Sequence, residues 1–142
     1  MIKVHQILKQ KEIRLITISP HSLVFEALQN MMKFNISAIL IVDEGKLSGI
    51  FTERDYARKV VLLGKSSKEV QIKEVMTPSP ITISPDDNIE HCMQLMTDHH
   101  IRHLPVKHDG ELVGMVSIGD VVKMIIEDQK QTIKNLESYI SS

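Results

Sequence analysis

Ile16-Thr17-Ile18-Ser19-Pro20 returns 65 residues later as Ile81-Thr82-Ile83-Ser84-Pro85, identical at all five positions. The match runs on without a gap. Gln29, Met31, Ile36, Gly45, Leu47, Gly49 and Asp55 fall on Gln94, Met96, Ile101, Gly110, Leu112, Gly114 and Asp120. These twelve identities over residues 16–58 compare with about two or three expected from ordinary composition, so the chain carries a duplication. A period of this length is too long for a solenoid and too short for a large independent domain. The expectation is two half-domains that close on each other to share a core.

Both halves read in the same order. A β-branched strand ends at Ser-Pro, where proline breaks pairing, and the polar residues that follow (Ser22; Asp87) are candidate helix caps. Val24, Ala27, Leu28, Met31 and Met32 then recur at helical spacing, as do Ile89, Cys92, Met93 and Met96. Two apolar strands follow, Ala38 to Val42 and Leu47 to Phe51, joined by the turn Asp43-Glu44-Gly45. Their counterparts are Leu104 to Val106 and Leu112 to Val116, joined by His108-Asp109-Gly110. A closing helix starts after Thr52 or Ser117. The fold class is α+β, built of duplicated βαββα half-domains.

Outside the repeat, Val4, Ile7 and Leu8 echo Ile72, Val75 and Met76 at an offset of 68, so a short helical lead-in precedes each half. Residues 63–68 are loop-like by composition. The predicted organisation is residues 1–66 for the first repeat with its lead-in and linker, 67–127 for the second, and 128–142 for a C-terminal helical extension. In that extension Ile126, Ile133 and Ile140 are seven apart, with Leu136 beside them, a narrow apolar stripe. It either packs back on its own domain or meets a second subunit.

Composition narrows the function. There are 17 Lys+Arg against 18 Asp+Glu in 142 residues, with no block of like charge, so no general field exists to hold nucleic acid or a membrane surface. Three Phe, two Tyr and no Trp leave little for base stacking. The longest apolar run, Ala38 to Val42, falls far short of the ~20 residues of a membrane-spanning helix. A lone Cys92 and a Met1-to-Lys11 segment without a signal-peptide core fit a reducing, cytoplasmic setting.

Gly49-Ile50-Phe51-Thr52-Glu53-Arg54-Asp55 lies over Gly114-Met115-Val116-Ser117-Ile118-Gly119-Asp120. A hydroxyl followed three residues on by an acid is a variant capping box at a strand-to-helix junction. The same geometry suits a phosphate near the hydroxyl and a ribose diol on the carboxylate; spacing alone leaves both readings open. Other signals carry less. His100-x-x-His103 has ligand-like spacing but no evident completing residues. Gly64-Lys65-Ser66 resembles the end of a P-loop, yet Lys59 stands where its first glycine belongs. Cys92 and most methionines read as core. No catalytic set emerges.

Two βαββα units with Ser-Pro after the first strand, a glycine-bearing hairpin, and Gly-x-x-[Thr/Ser]-x-x-Asp at each end resemble a tandem pair of CBS domains. Val75-Met76-Thr77-Pro78 and Ile101-Arg102-His103-Leu104-Pro105-Val106 make the second half a close match, and the resemblance covers residues 4–127. It implies a stand-alone Bateman module whose repeats pair about a pseudo-twofold axis. Such modules bind AMP, ADP or ATP, and sometimes NAD or S-adenosylmethionine, in two clefts. By that resemblance Asp120 and Asp55 would each hold a ribose, with Ser117 and Thr52 near the phosphate. Adenine in the Asp120 cleft would lie against Ile16, Ile36 and Ser37; in the Asp55 cleft, against Thr77, Ile81 and Ile101. Arg102 and His103 would serve phosphates at the Asp120 cleft, making it the tighter one, with Arg54, where the second repeat has Gly119, as partial compensation at Asp55. The expected role is an adenine-nucleotide-sensing regulatory homodimer with a protein partner not named by the sequence. The alternatives are a ligand-free interaction scaffold or an enzyme acting on a nucleotide.

Overall fold

The structure, a computed structural model, describes residues 1–12 and 15–141. In chain order the elements are α1 (Val4–Gln10), β1 (Thr17–Ile18), α2 (Val24–Lys33), β2 (Ala38–Asp43), β3 (Lys46–Thr52), α3 (Glu53–Tyr56, continued as a wide π-type turn over Ala57–Val61), β4 (Thr77–Pro78), α4 (Ile89–His99), β5 (His103–His108), β6 (Glu111–Ser117) and α5 (Ile118–Ser141). This is the duplicated α+β architecture with its C-terminal helix.

The hairpins form as their turn residues require. Glu44-Gly45 and Asp109-Gly110 all have positive φ, the two-residue turn that matches strand twist and favours glycine at its second position. Both hairpins carry an irregularity in register at the corresponding place, Ile41/Val42 and Val106/Lys107. The sheets are nevertheless unequal. β1 pairs in parallel with β2, and β4 completes a four-stranded sheet β1-β2-β3-β4. In the second repeat the counterpart of β1 shrinks to a single bridge, Ile83 to Val106. Proline supplies the cause: Leu40 donates its N–H to the Ile16 carbonyl at 3.5 Å, whereas its counterpart Pro105 has no N–H to give.

The expected caps differ from the observed ones. Ser22 and Asp87 fall one residue before the true cap positions, Leu23 and Asn88. Asp87 instead accepts the Ser84 N–H at 2.7 Å, closing the Ser-Pro turn, and Asn88 caps α4 by accepting from the His91 N–H at 2.8 Å. On α2, Val24, Ala27 and Met31 are buried while Met32 points to solvent.

The two lead-ins exchange places. Val4, Ile7 and Leu8 of α1 are buried with Ile89, Cys92, Leu104 and Val116 of the second repeat. Val70, Ile72 and Val75 are buried with Val24, Ile39 and Phe51 of the first. The backbone bonds repeat pairwise. Ile72 N–H donates to the Ser22 carbonyl and Lys73 N–H to Pro20, as Val4 donates to Asp87 and His5 to Pro85, all at 2.8–3.0 Å. Such reciprocity is the signature of a pseudo-twofold relation. A third, smaller cluster of Ala38, Leu40, Ile50 and Met115 joins the two sheets.

α5 continues well beyond the repeat. All residues from Ile126 to Ser141 are exposed, including Ile133 and Leu136, so the stripe does not pack back on its own domain. No described helix is long and apolar enough to cross a membrane.

Candidate functional site

β3 delivers Thr52 to the start of α3, and there the capping box closes in both directions. Asp55 N–H donates to Thr52 Oγ1 at 3.1 Å, and Thr52 N–H donates to Asp55 Oδ2 at 3.0 Å. Asp55 is the one buried polar side chain among the described residues. Its other oxygen, Oδ1, accepts from Thr77 Oγ1 at 3.3 Å and faces Lys59 Nζ at 3.1 Å. Buried carboxylates need such partners. Thr77 reaches Asp55 because β4 pairs with β3 there, Gly49 opposite Pro78 and Ile50 opposite Thr77. Glycine is needed at 49. A Cβ there would stand 2.5 Å from Met76 Sδ and 3.0 Å from the Thr77 carbonyl oxygen.

In front of Asp55 lies a cavity of about 380 Å³, within the ~300–1,000 Å³ range of small-molecule sites. Ile50, Ile81, Pro80 and Ile101 give it apolar walls. Its polar groups are Ser37, Thr52, Glu53, Arg54 and Asp55 from the first repeat, with Thr77, Ser79, His100, Arg102 and His103 from the linker and second repeat. Both repeats therefore build it. Arg54 Nη1 bridges them, donating to the His100 carbonyl at 3.2 Å. Ser37 Oγ and His103 Nε2 form a second bridge at 3.0 Å.

The second box is made the same way. Asp120 N–H donates to Ser117 Oγ at 3.1 Å and Ser117 N–H to Asp120 Oδ2 at 2.8 Å. Its surroundings differ. Lys11 Nζ lies 2.8 Å from Asp120 Oδ2 and donates to the Met115 carbonyl at 2.7 Å. Both side chains of this ion pair are about four-fifths shielded from solvent.

The expected residues divide accordingly. Thr52, Arg54, Asp55, Thr77, Ile81 and Ile101 meet at one cavity. Arg102 and His103, expected to serve Asp120, stand in that same wall, as does Ser37. His103, at the start of β5, stands between the two boxes: it lines the Asp55 cavity and feels the charges of Asp120 and Lys11. Ile16 and Ile36 line no part of it and pack on the first-repeat core. Gly119 lies on an open groove of α5 beside Ile118 and Val122. A lysine pairs with each aspartate, Lys59 with Asp55 and Lys11 with Asp120. Sequence reasoning did not group Lys11, Ile50, Glu53, Ser79, Pro80 or His100 with either aspartate.

His103 titrates below the ordinary histidine range. Burial is the chief cause, opposed by Asp120 and reinforced by Lys11 and Arg102. Cys92, buried on α4, has its thiol pushed up to about 11 by burial and by Asp87, which keeps it in the unreactive thiol form. Among the described residues no group of three or more His, Cys, Asp or Glu could hold a metal ion.

The family model described as CBS domain matches twice, over residues 10–62 and 72–127. A CBS domain-containing mitochondrial protein of Arabidopsis thaliana, CBSX3, is 41% identical over 122 residues, which are 82% of this chain. The chain spans only 59% of that relative's length. The solved structure of a CBS-domain protein from Burkholderia ambifaria superposes with a TM-score of 0.84 at 44% identity, covering 89% of this chain and 96% of that one. The CBS domain pair of protein MJ0100, crystallised with 5′-methylthioadenosine and S-adenosyl-L-methionine, gives 0.76 at 32% identity, over 87% and 98% of the two chains. With two matched repeats, a shared fold and capping boxes at both hairpin ends, the chain belongs to the CBS-domain family as a tandem pair.

Proposed function

We propose that this CBS pair is a non-enzymatic regulatory module that takes an adenosine-containing ligand in the Asp55 cavity. AMP, ADP, ATP, NAD and S-adenosylmethionine are the candidate ligands. The observation that carries the reading is the cavity itself: an apolar slot of nucleoside size with a buried carboxylate at one side and two arginines at its rim. Adenine lies between Ile81 and Ile101, the ribose hydroxyls donate to Asp55, and Arg54 and Arg102 meet a phosphate or carboxylate. The adenosine compounds bound by the MJ0100 pair support the choice of ligand class.

Regulation follows by linkage. The cavity is walled by both repeats, so a ligand that favours one arrangement of them shifts the pair toward it by its differential affinity, and the effect on a protein partner is reciprocal. The exposed stripe on α5 supports a homodimer, and the lone cysteine supports a reducing, cytoplasmic setting. A ligand at 100 times its Kd raises stability by roughly 2.7 kcal/mol. Thermal unfolding with AMP, ADP, ATP, NAD, S-adenosylmethionine and methylthioadenosine is expected to show an upward shift for at least one of them. No shift with any, in protein freed of co-purified nucleotide, leaves the scaffold reading in its place.

A further inference from the structure

The two halves of α5 have different surroundings. Its first turns lie on the second-repeat core through Val121 and Met124, while every residue from Ile126 to Ser141 is exposed. Val122, Ile126, Gln129, Ile133, Leu136 and Ile140 stand alternately four and three residues apart, the narrow seam of a coiled coil. Its apolar members are all exposed. Where α5 lies beside the domain the seam also forms an open groove, lined by Ile118, Val122 and Ile126 and edged by Lys123, Glu127 and Lys130. The outer half has no such support, and a polar helical stretch of about 15 residues is marginal in water without a surface to lie on.

We infer that this surface is the groove of a second copy, and that two α5 helices pair antiparallel about a twofold axis near Gln131. This rests on the homodimer reading above and gives the dimer its axis. In that register Ile140 lies against the partner's Val122, Leu136 against the partner's Ile126, and Ile133 against the partner's Gln129, each contact being made twice. Charge selects the direction. Lys123 and Glu137 flank the seam on the same side, two heptads apart, and neither has an ion pair among the described residues. Antiparallel pairing sets Lys123 beside the partner's Glu137 at both ends. Parallel pairing sets Lys130 against the partner's Ile125 and Glu137 against the partner's Thr132, with no contact between opposite charges. The antiparallel axis does bring the two Lys130 side chains together, and Glu127, one turn earlier on each helix, lies beside them. Parallel pairing would also join groove to groove and outer half to outer half, leaving the outer halves no domain to lie on.

Sedimentation of the full chain and oxidative cross-linking test this. The native chain is expected to be a dimer, and Leu136→Glu a folded monomer, since Leu136 is exposed within one chain. A disulfide forms only where two Cα atoms come within about 7 Å. Ile126→Cys/Leu136→Cys is therefore expected to give covalent dimers with copper–phenanthroline. Each single variant is expected to give none, because each position lies about 15 Å along the axis from its own copy in this register. Cys92 is buried, and the native chain treated alike serves as the blank. A monomeric native chain overturns the pairing together with the homodimer reading. A dimer that survives Leu136→Glu, cross-linking of either single variant, or no cross-linking of the double variant overturns the antiparallel pairing alone.

Discussion

Asp55 and Asp120 occupy equivalent positions in their repeats and close the same capping box, yet the lysine paired with each comes from a different place: Lys59 from the same helical segment, Lys11 from the lead-in 109 residues away. Duplication copies the scaffold of a site without copying its contents. The box depends on residues inside the repeat, which stay aligned at an offset of 65. The lysine beside Asp120 comes instead from a lead-in, and the lead-ins align at 68.

The largest effect that sharpens this contrast comes from Asp55→Ala. Losing hydrogen bonds to a charged acceptor costs roughly 1.5–3 kcal/mol, one to two decades in ligand affinity, measured by calorimetry. A folded variant that binds like the native chain would break the assignment of the ribose to this carboxylate. Gly49→Ala comes next. Its Cβ collides with Met76 and with the Thr77 backbone, an overpacking that costs about 1–2 kcal/mol and parts β4 from β3. Chemical denaturation should report the loss of stability, and ligand titration should report weaker binding as Thr77 moves off Asp55.

Asp120→Ala tests the opposite side. It removes a cap worth about 1 kcal/mol, and for a chain of this size the melting temperature falls by roughly 2–8 °C. Equal melting temperatures would show that the Ser117 box and the Lys11 bond contribute nothing net. The smallest effect is on pH. His103 is held neutral near pH 7 by burial, and its folded pKa lies below the unfolded value of about 6.5. The histidine's contribution to stability is therefore present above about pH 6.5 and is lost as pH falls through the folded pKa. A phosphate beside the ring reverses that depression, so affinity for a phosphorylated ligand should rise severalfold from pH 7.5 to 6 and flatten in His103→Gln.

Much of this was legible in the sequence because it rests on local chemistry. Hairpin turns need Glu44-Gly45 and Asp109-Gly110, capping boxes need a hydroxyl and an acid three apart, and a 65-residue echo needs a pseudo-twofold fold. Thr77, Ile81 and Ile101 could be grouped with Asp55 from the resemblance. What stayed hidden depends on long-range placement. Nothing local says that Arg102 and His103 join the wall of the Asp55 cavity, or that Ile16 and Ile36 pack inward. Lys11 was missed because a lysine in a helical lead-in reads as solvent-exposed, and its partner lies 109 residues away.

The crossed lead-ins bear on how such a chain can be cut. Neither half owns all of its interior: α1 completes the second core and the Val70–Val75 segment completes the first. A chain severed in the exposed 62–65 loop should yield two pieces that are insoluble apart and complement each other when mixed, as the arms of an interlocked dimer would.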